Sequence, residues 1–187
     1  MISKDYLIFE DFLTQEEASR AAAAMQLSPQ DDDREMYSTF SLFGPEVLED
    51  NAITYDWDAE GKIKLAVKHA HSVFRDNYEI KGEFTLHRCY GNMMREGAWL
   101  AGHADWEPDS NGDAADQKPY IAALFLTDDY EGGELHFPDL KISLHPKAGT
   151  LVLFTGHDTI HGVDYVTKGV RVNVIIVFHE TLNNKGV

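Results

Sequence analysis

The sequence predicts an α+β chain that is mainly β, a double-stranded β-helix or jelly roll with supporting helices at its N-terminal side. Three observations carry this. From residue 84 to 180 the texture is one of short β-rich runs separated by turn residues, which indicates a sandwich or barrel. Upstream, residues 16–25 and 60–77 have helical character. At 187 residues and 43% hydrophobic content, the chain suits one domain with a proper core, 1–82 as support and 83–181 as the β core. Within its class, the double-sheet jelly roll is the member that holds a site between its sheets.

Taken in order, Leu7, Ile8 and Phe9 suit a short first strand. Thr14 precedes Glu17 by three, the spacing at which each side chain satisfies the other residue's backbone N–H at a helix start. Residues 16–25 are rich in Ala and Glu, both good helix formers. Between 28 and 58 the pattern breaks up: Pro29, the acidic Asp31-Asp32-Asp33 and Gly44-Pro45 imply loops with short elements. A long irregular segment in a compact domain is a candidate lid. Ile63, Val67, Ala70 and Phe74 recur at helical spacing, so 60–77 reads as an amphipathic helix. His69 and His71 on it do not face each other and read as surface or packing residues. The candidate strands are 84–90, 99–106, 120–126, 133–137, 142–144, 150–154 and 170–180. The polar segment 107–118 is a loop that begins two residues after Asp105.

The formal charge is -16, with 32 acidic against 16 basic side chains. That disfavours a nucleic-acid partner, because affinity for phosphate backbones comes largely from Lys and Arg. A peptide, protein or small-molecule substrate is compatible with it. No apolar run approaches the ~20 residues that span a bilayer, so no membrane partner is expected. The first residues lack a basic start followed by an apolar stretch, so no secretory leader is expected. Cys89 is the single cysteine; an internal disulfide is impossible, which fits a reducing, cytoplasmic setting.

Two patches carry the chemistry. Of nine histidines, only His103 has a carboxylate two residues downstream, Asp105. On a strand, positions i and i+2 share a face, so this pair would offer an imidazole and a carboxylate to one point. His161, after the strand-like run 150–154, supplies a third donor. Two His and one carboxylate on one face of an octahedron leave open positions, the arrangement of non-heme Fe(II) oxygenases. The second patch lies in 170–180, apolar except for Arg171 and Asn173 in its first half, which share a face. A buried guanidinium costs several kcal/mol unless an anion pairs with it, and its planar fork suits a carboxylate. A surface pair at a strand end is the competing reading of His103 and Asp105, and a structural carboxylate that of Arg171. His157, four before His161, would join it only on a helix, against which Gly156 and the flanking strands argue. His136 and His145 read as structural or surface residues, His179 has no assignable role, and Trp106 reads equally as substrate wall or core.

His-x-Asp, a distal His, and an Arg ten positions later resemble the 2-oxoglutarate/Fe(II)-dependent dioxygenases. Further phrases are similar to the prolyl 4-hydroxylase-like branch: Tyr90-Gly91, Glu131-Gly132-Gly133-Glu134-Leu135, Pro146-Lys147-Ala148-Gly149-Thr150, and His161-Gly162-Val163, in order over about half the chain. The resemblance implies the jelly roll. It also implies His103, Asp105 and His161 as ligands of a catalytic Fe(II), 2-oxoglutarate as cosubstrate with O2, and L-ascorbate as reductant. Arg171 would pair with the remote C5 carboxylate and Tyr90 would donate a hydroxyl to the cosubstrate. Asn173, from strand alternation, is a further donor. Two features depart from the pattern: Leu124-Phe125 stands where relatives often have a tyrosine that touches the C5 carboxylate, and the Tyr90–His103 spacer is slightly long. The expected activity is hydroxylation of a peptidyl proline coupled to decarboxylation of 2-oxoglutarate. The same chemistry on a free amino acid, small metabolite or nucleobase is the alternative, and a non-catalytic jelly-roll binding protein the second alternative.

Overall fold

A computed structural model describes residues 5–27, 32–33, 36–43, 45–48, 59–105 and 117–181. Its elements in chain order are β1 (Tyr6–Phe9), α1 (Gln15–Gln26), β2 (Asp32–Asp33), β3 (Tyr37–Phe43), α2 (Ala59–Asn77), β4 (Glu83–Arg95), β5 (Leu100–His103), β6 (Gln117–Phe125), β7 (Glu131–Gly132), β8 (Leu135–Phe137), β9 (Ile142–Leu144), β10 (Leu151–Thr155), β11 (His161–Val163), β12 (Val166–Lys168) and β13 (Val170–Thr181).

Two antiparallel sheets face each other, as the jelly roll requires. The major sheet runs β1-β10-β6-β13-β4-β3-β2 and the minor one β5-β11-β8-β9. Alternation along the central strands divides their side chains between two cores. Leu124, Val172, Val174, Ile176 and Phe178 pack outward with Ala18, Ala22, Val67 and Phe74 of the helices. Ile121, Ala123, Phe125, Val152 and Phe154 point the other way, onto Leu135 and Phe137 of the minor sheet. The helices are thus lids on one face of the major sheet, and the site has the other face. Thr14 and Glu17 form the expected reciprocal cap, with Oγ1 accepting from the Glu17 N–H at 3.2 Å and the Thr14 N–H donating to Glu17 at 2.9 Å. His69 packs between Phe9 and Phe12, and His71 on Phe84, so both are packing residues.

The structure extends several sequence expectations. The major sheet recruits β1, β2 and β3 from the support region. Within 28–58, where loops with short elements are expected, β3 is a seven-residue strand on the edge of β4. β4 continues five residues beyond Tyr90 to Arg95, and His161 begins a strand of its own. Most of the candidate lid at 28–58 and of the loop at 107–118, and Trp106, lie outside the described residues.

Glu180, only 1% exposed, ties the end of α2's connection to β13. Its carboxylate accepts the backbone N–H groups of Lys81 (2.6 Å) and Gly82 (3.0 Å) and the Tyr120 hydroxyl (3.0 Å). Burial by itself would raise its pKa, but these three donors outweigh burial and hold it below the usual carboxylate value. A carboxyl depressed in the folded state contributes stability that is complete above its unfolded pKa and lost as pH falls through the folded one. Glu180→Gln is therefore expected to cost about 2 kcal/mol at neutral pH, with the gap to the parent closing below about pH 4. Urea melts at both pH values check this; a gap that does not change with pH would remove the ionised carboxylate as its source.

Candidate active site

The three donors of the first patch meet at the mouth between the sheets. β5 and β11 pair so that His103 stands directly opposite His161, with ring centroids 4.5 Å apart. Asp105, two residues past β5, is anchored by its N–H donating to the Gly156 carbonyl at 2.8 Å. His103 Nε2 lies 3.5 Å from one Asp105 oxygen and His161 Nε2 3.5 Å from the other. One donor atom from each residue falls within 4.8 Å of the others, and this is the one such cluster of three among the described residues.

Both imidazoles are oriented in the same way. His103 Nδ1 sits 2.9 Å from the Ala101 carbonyl and His161 Nδ1 3.0 Å from the Thr159 carbonyl, each two residues upstream. A carbonyl only accepts, so each Nδ1 carries the proton and each Nε2 turns its lone pair to the centre. Such a backbone partner fixes the tautomer and ring direction of a metal-binding histidine. Burial lowers the His161 pKa, favouring the neutral form that ligates. The Asp105 hydrogen bond raises that of His103, so a metal must displace a proton there. Two oriented imidazoles and one carboxylate fit Fe(II) with positions left open.

From this centre a cleft, partly open to solvent, runs inward between the sheets and is lined by Tyr90, Asn173 and Arg171. Arg171 is only 2% exposed. Its Nη1 donates to Asn173 Oδ1 at 2.8 Å, and the guanidinium lies 4.9 Å from the centroid of Phe125. Among the described residues no carboxylate pairs with it, and its Nε and the Asn173 amide nitrogen have no hydrogen-bond partner. A buried cation with unmet donors is several kcal/mol unfavourable until an anion arrives, which is the fit a dicarboxylate cosubstrate requires. The Tyr90 phenol is pushed up to about 12, chiefly by burial and then by Tyr37, so it stays protonated and able to donate.

Two phenols near this cleft escape the sequence reading. Tyr37 lines it from β3, whose β-rich composition was the available signal. Tyr130, 4% exposed, lies beside Arg171 and is coupled to it electrostatically, though its hydroxyl makes no hydrogen bond. Both side chains close over Gly133 (φ 66°), where a Cβ would meet Arg171 Cδ and the Tyr130 ring at 3.2 Å each. A phenol thus stands near the guanidinium although Phe125 replaces the tyrosine on β6.

Gly156 allows Asp105 its position. A Cβ there would meet Asp105 Oδ2 at 2.5 Å and Ile121 at 3.0 Å. Gly156→Ala is expected to weaken metal binding roughly tenfold or more by displacing the carboxylate. Calorimetric titration with Fe(II) under anaerobic conditions reads this; an unchanged affinity would mean that Asp105 has slack.

Residues 85–179 match the 2OG-Fe(II) oxygenase superfamily. Prolyl 3-hydroxylase 2 of Homo sapiens is 39% identical over 67 residues, 33% of this chain, and the match covers 10% of that relative's length. Among solved structures, the viral collagen prolyl hydroxylase of Paramecium Bursaria Chlorella virus-1, in its 2OG complex, is similar with a TM-score of 0.72 at 18% identity, over 96% of this chain and 97% of that one. A Pseudomonas putida prolyl-4-hydroxylase has a TM-score of 0.68 at 18% identity, over 95% and 94%. Likeness at that identity is likeness of fold.

Proposed function

We propose that this chain, which belongs to the 2OG-Fe(II) oxygenase superfamily, hydroxylates a peptidyl proline. As a member it is a dioxygenase that uses Fe(II), 2-oxoglutarate and O2. The observation that carries the assignment of its residues is the buried Arg171, without a carboxylate partner among the described residues, at the inner end of a cleft whose mouth gathers His103, Asp105 and His161.

When bound by these three residues, Fe(II) supplies the activation of O2, and substrate C–H, 2-oxoglutarate and O2 become substrate C–OH, succinate and CO2. The chain's own part is geometry and electrostatics. Arg171 holds the remote carboxylate of 2-oxoglutarate through charge-assisted hydrogen bonds. The free N–H of Asn173 and the protonated Tyr90 phenol donate to the cosubstrate. The backbone carbonyls of Ala101 and Thr159 keep both imidazole lone pairs on the metal. Leu135, Ile121, Ala123 and Phe154 line the cleft with apolar surface and keep water from the cosubstrate.

The prolyl substrate is supported by the 39% identity to a prolyl 3-hydroxylase and by the prolyl hydroxylases among the similar folds. Incubation with Fe(II), 2-oxoglutarate and ascorbate as reductant, with proline-containing peptides and a metabolite panel, tests it. A mass gain of one oxygen atom on proline is expected. A gain confined to small metabolites would replace the peptide reading with its alternative.

A further inference from the structure

The cleft holds a second guanidinium. Arg88 lines it together with Arg171, and its Cζ lies 5.1 Å from the centroid of the Tyr90 ring. Arg88 precedes Tyr90 by two on β4, on the side away from Met94, the residue paired with Arg171.

A backbone irregularity aims it there. Along β13, Val177 pairs with Arg88 but Phe178 pairs with Leu86, so His87 is an extra residue in β4. Phe84 and Leu86 before it face the helices, as do Cys89 and Met93 after it. The parity of the strand therefore flips at His87, and Arg88 joins Tyr90 and Asn92 in the cleft. Without the bulge, Arg88 would fall on the helix-facing side. Bulges beside active sites commonly re-aim a side chain in this way.

Arg88 is exposed at the open part of the cleft, within reach of a substrate. The chain has two acidic side chains for every basic one, yet among the described residues no carboxylate makes an ion pair with Arg88. Its polar neighbours from β4 and β13 are the stacked imidazoles of His87 and His179, 4.0 Å apart. The two cations enter the cleft from different points along β4: Arg171 pairs with Met94, six residues along the strand from Arg88, about 20 Å of backbone at a strand's rise.

We propose that Arg88 is a specificity-determining residue that binds a carboxylate of the substrate, so that the enzyme selects a target carbon lying near a carboxylate. This rests on the assignment of Arg171 to 2-oxoglutarate. The carboxylate belongs either to the target residue's own α-carboxyl group or to an acidic side chain flanking it in a peptide.

The test compares matched probes: free L-proline and L-prolinamide, N-acetylproline and its amide, and blocked proline peptides with flanking Glu or Gln, alongside the same acid and amide pairs of other amino acids. Probe-dependent succinate formation is read for the metal-loaded parent, Arg88→Ala and Arg88→Glu. The parent is expected to favour the acid of a pair roughly tenfold in kcat/KM. Arg88→Ala should remove that preference, Arg88→Glu invert it, and the 2-oxoglutarate requirement should move less than twofold in both. Which pair responds separates an α-carboxyl from a flanking side chain. Equal use of acids and amides by the parent, or a preference that survives Arg88→Ala, overturns the proposal. So does a tenfold rise in the metal or 2-oxoglutarate requirement, which would make Arg88 a support for Asp105. A preference for acids seen only on non-proline probes would uphold Arg88 while removing the prolyl reading.

Discussion

Asp105→Ala is expected to lower O2-dependent succinate formation by at least roughly 100-fold and to weaken Fe(II) binding in proportion. The site offers three donors in one cluster, and Asp105 is the single anion among them. Its oxygens stand 3.5 Å from both imidazoles, so its loss removes a ligand and the charge that draws a dication to two neutral rings. Asp105 lies near the surface after β5, and its side chain supports no core packing, so the melting temperature of the metal-free protein should be nearly unchanged. Anaerobic Fe(II) titration and a succinate assay read the two quantities. Normal turnover in this variant would remove the metal assignment altogether. His161→Ala should match it in activity but is less clean, because His161 is buried 4.6 Å from the Phe154 ring and its loss opens a cavity.

The second large effect concerns Arg171, where stability and function should move in opposite directions. Arg171→Met is expected to raise the 2-oxoglutarate concentration required by roughly 100-fold, the scale of a lost pair of charge-assisted hydrogen bonds. The metal-free variant should nevertheless be as stable as the parent or more so, by a few °C in Tm, because methionine removes a buried cation that no carboxylate compensates among the described residues. The surroundings suit it: Met94 sulfur lies 3.7 Å from Nη1, and the Phe125 ring is alongside. Adding 2-oxoglutarate and a redox-inert divalent metal should raise the Tm of the parent strongly and that of the variant little, as linkage requires for a ligand bound only by the folded state. A variant that keeps the parental 2-oxoglutarate requirement would put the cosubstrate elsewhere. A variant that unfolds at much lower temperature would mean that Arg171 is structural.

What could be read from the chain alone were features with a short period. His103 and Asp105 are two apart, as are Arg171 and Asn173, and strand alternation puts each pair on one face wherever the strand lies. The Thr14–Glu17 cap and the helical spacing of Ile63, Val67, Ala70 and Phe74 are local in the same sense. The Tyr130 phenol beside Arg171 and the cleft's second cation were not legible. Tyr130 and Arg171, 41 positions apart in the chain, meet over Gly133, where the lack of a Cβ leaves room for both. Arg88 enters the cleft because one extra residue in β4 reverses the alternation on which the reading depends.

Which residue types could serve a ferrous centre and a buried anion is written in the chain, because those chemistries need particular donors and alternation sorts them onto faces. That His161 stands across from His103, that Gly156 leaves room for Asp105, and that Arg88 shares the cleft with Arg171 are properties of the folded molecule. Those are matters of register between strands far apart in the chain. Register is set by how two sheets and a bulge fit together, which no window of neighbouring residues contains.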